Sequence, residues 1–223
     1  MLKNMKLSSG SPFAFPDARL RRRIRQRKQP SQERSRATTD ALLEATLQVL
    51  VKEGYQALTT TLVAQRAGVS VGTVYQYFPD KQSLVTALKV RYFGLMMQAM
   101  TGALAEAPPD DLEALVRQAL GALLTVKREH FALTRALREP MAAQSGHAFL
   151  RETMQHFTAL LVAPIRRARP LLAHPERRVA VLVAAMEGAI SAAVYDSPDW
   201  LGEAWFLDEL VAMGLGFLER LRD

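Results

Sequence analysis

Thr59-Thr60-Thr61-Leu62-Val63-Ala64-Gln65-Arg66-Ala67-Gly68-Val69-Ser70-Val71-Gly72-Thr73-Val74-Tyr75-Gln76-Tyr77-Phe78-Pro79-Asp80-Lys81-Gln82-Ser83-Leu84 holds two short apolar-periodic runs separated by a glycine. Three hydroxyl side chains stand before Leu62–Ala67, which predicts a short helix with a hydroxyl cap in front. Gly68 takes the positive φ that a tight turn between helices requires. Ser70 then caps a second helix, from about Val71 to Tyr77. Phe78-Pro79-Asp80-Lys81 closes that helix, and Asp80 begins a longer one through Leu84, Leu88 and Tyr92. Two short helices joined by a three-to-four-residue turn containing glycine form the helix-turn-helix pattern.

Working outward, Leu43, Leu47 and Leu50 fall at i, i+4 and i+7 and give the preceding helix one apolar face, which Gly54 ends as a left-handed cap. Val63, Ala67, Val69, Val74 and Phe78 are spaced to form the seam between the short helices and this first one, so they read as core. Thr73 and Gln76 fall on the outward side. In a major groove a glutamine reads the edge of adenine, while Thr and Tyr hydroxyls reach phosphates or a thymine methyl.

The segments Ala64-x-x-Ala67-Gly68-Val69-Ser70, Gly72-Thr73-Val74-Tyr75 and Tyr77-Phe78-x-x-Lys81-x-x-Leu84 resemble the DNA-binding domain of the tetracycline-repressor (TetR) family in order and spacing. The motif covers about residues 37–90. The resemblance implies DNA contacts, mostly to the backbone, at Thr60, Gly72, Thr73, Tyr75, Tyr77 and Lys81. It also implies a homodimer built through the last two helices and a small-molecule pocket in the helical body. Two positions depart from the common pattern: Val71 stands where many relatives carry Lys or Arg, and Tyr77 where His is common.

Charge is distributed to match a polyanion partner. Residues 1–36 carry 11 Lys or Arg against Asp17 and Glu33, a net +9, whereas the remaining 187 residues sum to −2. Between Ala37 and Lys81 the balance is −1, with Lys52, Arg66 and Lys81 against Asp40, Glu44, Glu53 and Asp80. The motif by itself attracts DNA poorly. Residues 1–36 therefore read as a basic, disordered arm that supplies affinity, with Arg34 and Arg36 best placed to reach a neighbouring groove.

Beyond about residue 101 the breaks are Pro108-Pro109, Pro140, Gly146, Pro170, His174-Pro175 and Pro198. The stretches between them, roughly 110–128, 147–169, 176–195 and 203–222, are apolar-periodic, and the chain reads as all-α. The expected organisation is an arm over 1–36, a helix-turn-helix domain over 37–83 and an effector-binding and dimerisation domain over 84–223. Small residues including Ala184 and Gly188, with Tyr195, form one stripe for close helix approach. Leu207, Leu210, Val211, Gly214, Phe217 and Leu218 give the last helix a broad apolar face, and both sets are assigned to the dimer interface. Phe93, Met97, Leu124, Phe131, Met154 and Phe157 are the candidates for a ligand pocket, since methionine and aromatic side chains suit adaptable apolar cavities. Leu120, Leu161 and Glu187 join that set. The implied effector is apolar or amphipathic.

The absence of cysteine removes disulfides and thiolate metal sites and suits the cytoplasm. The Arg-rich arm lacks the apolar stretch of a secretory signal. No apolar run is expected to span a membrane, and no metal or cofactor is expected. The four histidines, 130, 147, 156 and 174, are scattered, and no nucleophile motif or phosphate-cradling loop argues for an enzyme. The competing function is a non-specific binder of nucleic acid or an anionic surface acting through the arm alone, which leaves the 59–84 motif without a purpose.

Overall fold

The computed structural model describes residues 33–142 and 144–219, and every one of its longer elements is a helix. Two compact units form. Among the described residues the first holds those up to Gly94 together with Arg135–Pro140, and the second holds Leu95–Thr134 and the residues from Met141 onward.

In the first unit α1 (Glu33–Ala57) already includes residues 33–36, so the end of the expected arm is helical. Residues 1–32 and the side chains of Glu33 and Arg34 lie outside the described residues. Leu42, Leu43, Leu47 and Leu50 bury the face that their spacing predicts. Gly54 breaks the helix, with φ 81° and ψ 172°. That is a positive-φ conformation reserved for glycine rather than the left-handed cap anticipated. Then α2 (Thr60–Ala67) starts after Thr59, whose Oγ1 accepts from the Leu62 amide at 3.1 Å. Gly68 supplies the left-handed turn at φ 68°, ψ 32°. Ser70 caps α3 (Val71–Tyr77), its Oγ accepting from the Thr73 amide at 3.0 Å. Ahead of α4 (Lys81–Glu106), Asp80 Oδ1 accepts from the Ser83 amide at 2.7 Å while Ser83 Oγ accepts from the Asp80 amide at 3.3 Å, a reciprocal cap. The core of the unit is Leu58, Val63, Val74, Phe78, Leu84 and Leu88, all fully buried. Ala67 and Val69 are only half-buried, because they sit at the turn where solvent still reaches the seam.

In the second unit α5 (Leu112–Glu129), capped by Asp111, packs on α10 (Ala204–Glu219), and α8 (Gln144–Ala168) packs on α9 (Pro175–Asp196). A 3₁₀ turn, Pro198–Gly202, joins the last two helices. Two short helices, α6 (Phe131–Ala136) and α7 (Arg138–Ala142), were not anticipated. Pro140 is the third residue of α7, still in its first turn where the missing N–H costs nothing, so the helix accommodates it instead of breaking there. Gly146 is not a break either. It lies inside α8, where a Cβ would run into the backbone of Met141.

The last two helices revise the expected dimer face. Leu210, Val211 and Leu218 are at most 3% exposed, and they and Gly214 face the core of their own unit. A Cβ on Gly214 would sit 3.2 Å from Val116 Cγ1 and 3.3 Å from Met186 Cε, so this glycine serves packing within the chain. Leu207, Phe217 and Tyr195 are half-buried. The exposed face of α10 is instead Trp205, Glu209, Ala212 and Met213, at i, i+4, i+7 and i+8. On α9 the small-residue stripe is exposed at Ala184 and Gly188, with Val181, Ala185 and Ala192 beside them.

One expectation about α9 also changes. It has 22 residues with a mean hydropathy of 1.6 along its most apolar part, which by length and composition is enough to cross a membrane. Its Val179, Leu182, Val183, Met186 and Ile190 are nevertheless buried inside the second unit, as in a core helix.

Lys89 on α4 is 5% exposed, and its Nζ donates to the Pro140 carbonyl at 2.7 Å, tying the 135–140 segment into the first unit. Burial pushes its pKa from 10.5 down to about 8. Between those two values the unfolded chain holds a proton that the folded chain releases, so stability rises with pH across that window. Thermal unfolding from pH 8 to 10.5 should show the parent protein gaining on the order of 3 kcal/mol over a Lys89→Met variant. Parallel pH profiles would refute a buried, titrating Lys89.

Candidate nucleic-acid interface and ligand cavity

Seven residues are too few for a helix to persist alone, so α3 depends on its surroundings. Val74 and Phe78 are fully buried, as is Val63 on α2, the helix against which α3 packs. That leaves Gly72, Tyr75 and Gln76 exposed and Thr73 half-exposed on the other side. The hydroxyls on this face are arranged in pairs. Thr60 Oγ1 at the start of α2 lies 3.3 Å from the Tyr75 hydroxyl, and Ser70 Oγ lies 2.9 Å from Thr73 Oγ1. Such pairs present donors and acceptors side by side, the chemistry that phosphate oxygens accept from backbone-positioning contacts. At Gly72 a Cβ would meet only Ser70 Oγ at 3.6 Å, so the surface there is open. Gln76 carries the side-chain amide of the exposed face, and a bidentate amide is what distinguishes adenine.

Lys81 is half-exposed at the start of α4. Its ammonium sits 4.8 Å from the centre of the Tyr55 ring and 3.5 Å from the Tyr55 carbonyl, which holds the charge in place beside α3. Arg36 is exposed on the first turn of α1. Its neighbour Ser35 is buried and reaches the Tyr77 hydroxyl at 3.3 Å, which sets Arg36 near the end of α3. The expected contact residue Arg34 has a side chain outside the described residues.

Tyr77 departs from expectation. It is 6% exposed and packs inward, so its ring belongs to the core and leaves the exposed face. Position explains this: Val74 and Tyr77 lie three apart on α3, and the face that buries one buries the other. Tyr55 and Ser35, which hold Lys81 and Tyr77, were missed by sequence reasoning. Only their three-dimensional partners mark them.

In the second unit the walls of a cavity of about 60 Å³ come from α4, α5, α8 and α9. Of the candidate pocket residues, Met154 and Phe157 line it, with Leu120, Leu161 and Glu187. Phe93, Met97, Leu124 and Phe131 do not. Phe93 is 1% exposed in the core of the first unit, and Leu124 is turned a helical step away from the wall residues Leu120 and Leu123. Met100, Ile165 and Met186 complete much of the apolar wall. At its charged end, Glu187 pairs with Lys127, 5% exposed, at 3.3 Å to Oε2, and Oε1 accepts from Ser191 Oγ at 2.9 Å.

Residues 42–88 match the family model described as "Bacterial regulatory proteins, tetR family", and residues 111–218 match "Tetracyclin repressor-like, C-terminal domain". The chain is 29% identical over 168 residues to an uncharacterized HTH-type transcriptional regulator of Mycobacterium tuberculosis, covering 73% of this chain and 83% of that one. It is 35% identical over 86 residues to the HTH-type transcriptional repressor KstR of the same species, covering 39% of each. Among solved structures, the SmeT–triclosan complex superposes with a TM-score of 0.65 at 20% identity, over 81% of this chain and 90% of that one.

The two adjacent residues of α3 separate by experiment. Tyr77→Ala removes a buried ring and should cost about 3 kcal/mol of unfolding free energy. Gln76→Ala changes an exposed position and should stay within about 0.5 kcal/mol. Chemical denaturation of both variants decides it, and a Tyr77→Ala variant as stable as its parent would put that ring back on the exposed face.

Proposed function

The chain belongs to the TetR family of DNA-binding transcriptional regulators, and from that premise we propose that it is a cytoplasmic, ligand-responsive repressor that binds a palindromic operator as a homodimer and leaves it when a small molecule binds. The observation that carries the reading is the exposed face of α3, where Thr73, Tyr75 and Gln76 stand clear of the core beside hydroxyl pairs suited to phosphate. Gln76 reads a base edge, while Thr60, Tyr75, Lys81 and Arg36 position the duplex. The basic arm adds phosphate neutralisation that the near-neutral motif lacks. Repression is supported by likeness to a protein described as a repressor, and ligand response by the apolar cavity and by the fold shared with the SmeT–triclosan complex.

Dimerisation is supported by what α9 and α10 leave uncovered. A Cβ at Gly188 or at Gly216 would meet nothing within 4 Å, so packing inside the chain explains neither glycine. Each costs about 1 kcal/mol of helix propensity against alanine, and a partner helix approaching closely accounts for both. Trp200 and Trp205, with ring centres 5.1 Å apart and each more than 40% exposed, lie next to this face and suit the same partner.

Footprinting on DNA upstream of the gene tests the reading. Protection of two half-sites related by a dyad and about one helical turn, 34–36 Å, or a multiple apart is the expected pattern. Gln76→Ala should then lower operator affinity by about 1–3 kcal/mol while leaving random DNA unaffected. Lys81→Ala should weaken all sequences alike, because phosphates carry no base information. Gly188→Leu should yield monomers by sedimentation and lose the footprint. A single asymmetric half-site occupied by a monomer contradicts the proposal.

A further inference from the structure

The cavity in the second unit has hydrocarbon and thioether walls and one charged side chain, Glu187. We propose that it takes a neutral, largely apolar molecule carrying one hydrogen-bond donor, such as a phenol or alcohol hydroxyl, which is given to Glu187; this rests on the reading of the chain as a ligand-responsive regulator. A carboxylate has about four lone-pair sites. Glu187 Oε1 accepts from Ser191 at 2.9 Å and from Lys127 at 3.4 Å, while Oε2 meets Lys127 at 3.3 Å. Those ammonium contacts are long for a charge-assisted bond, which runs about 2.7–2.9 Å. Oε2 thus has lone-pair capacity left, on a carboxylate whose side chain is 22% exposed and belongs to a residue that lines the apolar cavity.

The pairing decides the charge of the guest. Lys127 is buried, and Glu187 is its counter-charge, so the pair is neutral as a unit. An anionic guest would face the carboxylate in an apolar setting. A cationic one would set two positive charges against a single carboxylate. Either sets an uncompensated charge against an apolar wall beside a half-buried ion pair. A pure hydrocarbon would seal a carboxylate oxygen from water and return no donor. A neutral donor incurs none of these penalties.

Size sets the body of the guest. A cavity of about 60 Å³ is smaller than the roughly 150 Å³ that holds benzene in an engineered protein core, so a ring enters only when wall side chains yield. Met100, Met154 and Met186 provide that adaptability, each unbranched and able to change rotamer at little cost.

Isothermal titration of the full chain, without DNA, with 4-ethylphenol, ethylbenzene, 4-ethylbenzoate and 4-ethylbenzylamine tests the inference. The phenol should bind most tightly, with ethylbenzene about tenfold weaker and both charged probes weaker again. A Lys127→Met/Glu187→Leu double variant should bind ethylbenzene at least as well as the parent and bind the phenol no better than ethylbenzene. Should that variant not fold, the ranking on the parent protein still decides. Benzoate or benzylamine as the tightest probe, equal binding of phenol and ethylbenzene, or no binding by any of the four overturns the assignment. Because no operator is present, such a result leaves DNA binding standing, and a failed footprint leaves this ranking readable.

Discussion

Phe78 and Val74, buried to completion like Val63 on the neighbouring α2, hold a helix of seven residues that could not hold itself. The rest of the first unit follows from that seam. Gly68 sets the angle at which α3 leaves α2, Ser70 satisfies an orphan amide at its start, and Asp80 with Ser83 restarts the chain as α4 immediately beyond it. With one side of α3 committed to the core, the orientation of Thr73, Tyr75 and Gln76 is no longer free. Recognition chemistry here is a by-product of packing. The side chains proposed to read DNA are those the seam does not consume.

A related constraint shapes the second unit. Both α9 and α10 are apolar on more than one side, and a single chain can cover only one side of each. On α10 the covered side is Leu210, Val211, Gly214 and Leu218, which leaves Trp205, Ala212 and Met213 outside. The inner side of α9 is shared between core and cavity: Leu182, Val183 and Met186 line the cavity wall, and Glu187 brings the charge. One helix therefore carries cavity residues on one side and an uncovered small-residue stripe on another.

How much of this was legible in the sequence depended on the range of the physical effect involved. Gly68 and the hydroxyl caps at Thr59 and Ser70 act over three or four residues, and reading along the chain located each of them. Gly54 was recognised as a break, although its ψ of 172° is not that of a left-handed cap. Effects that depend on remote partners were not legible. Tyr77 reads as a contact residue in the sequence, yet it is buried on the Val74 side of α3 and its hydroxyl meets Ser35, 42 residues away, at 3.3 Å. Leu210 and Trp205 are both large and apolar, and the positions of α5 and α9 decide which of them turns inward. Likewise Phe93 and Phe157 are equivalent candidates by composition, yet one fills the core of the first unit and the other lines a cavity in the second. Pro140 and Gly146 misled in the opposite direction, since both residue types also occur inside helices when position or crowding permits.

The central claim is that the exposed face of α3 meets the duplex in the orientation that the seam imposes. Amide and side-chain resonances followed by NMR during titration of the chain with its footprinted operator test this most directly. The account predicts that Gly72, Thr73, Tyr75 and Gln76 shift together, with Thr60 and Lys81, while the buried Val63, Val74 and Phe78 stay largely in place. Operator-induced shifts confined to residues outside α2, α3 and the start of α4 would contradict it.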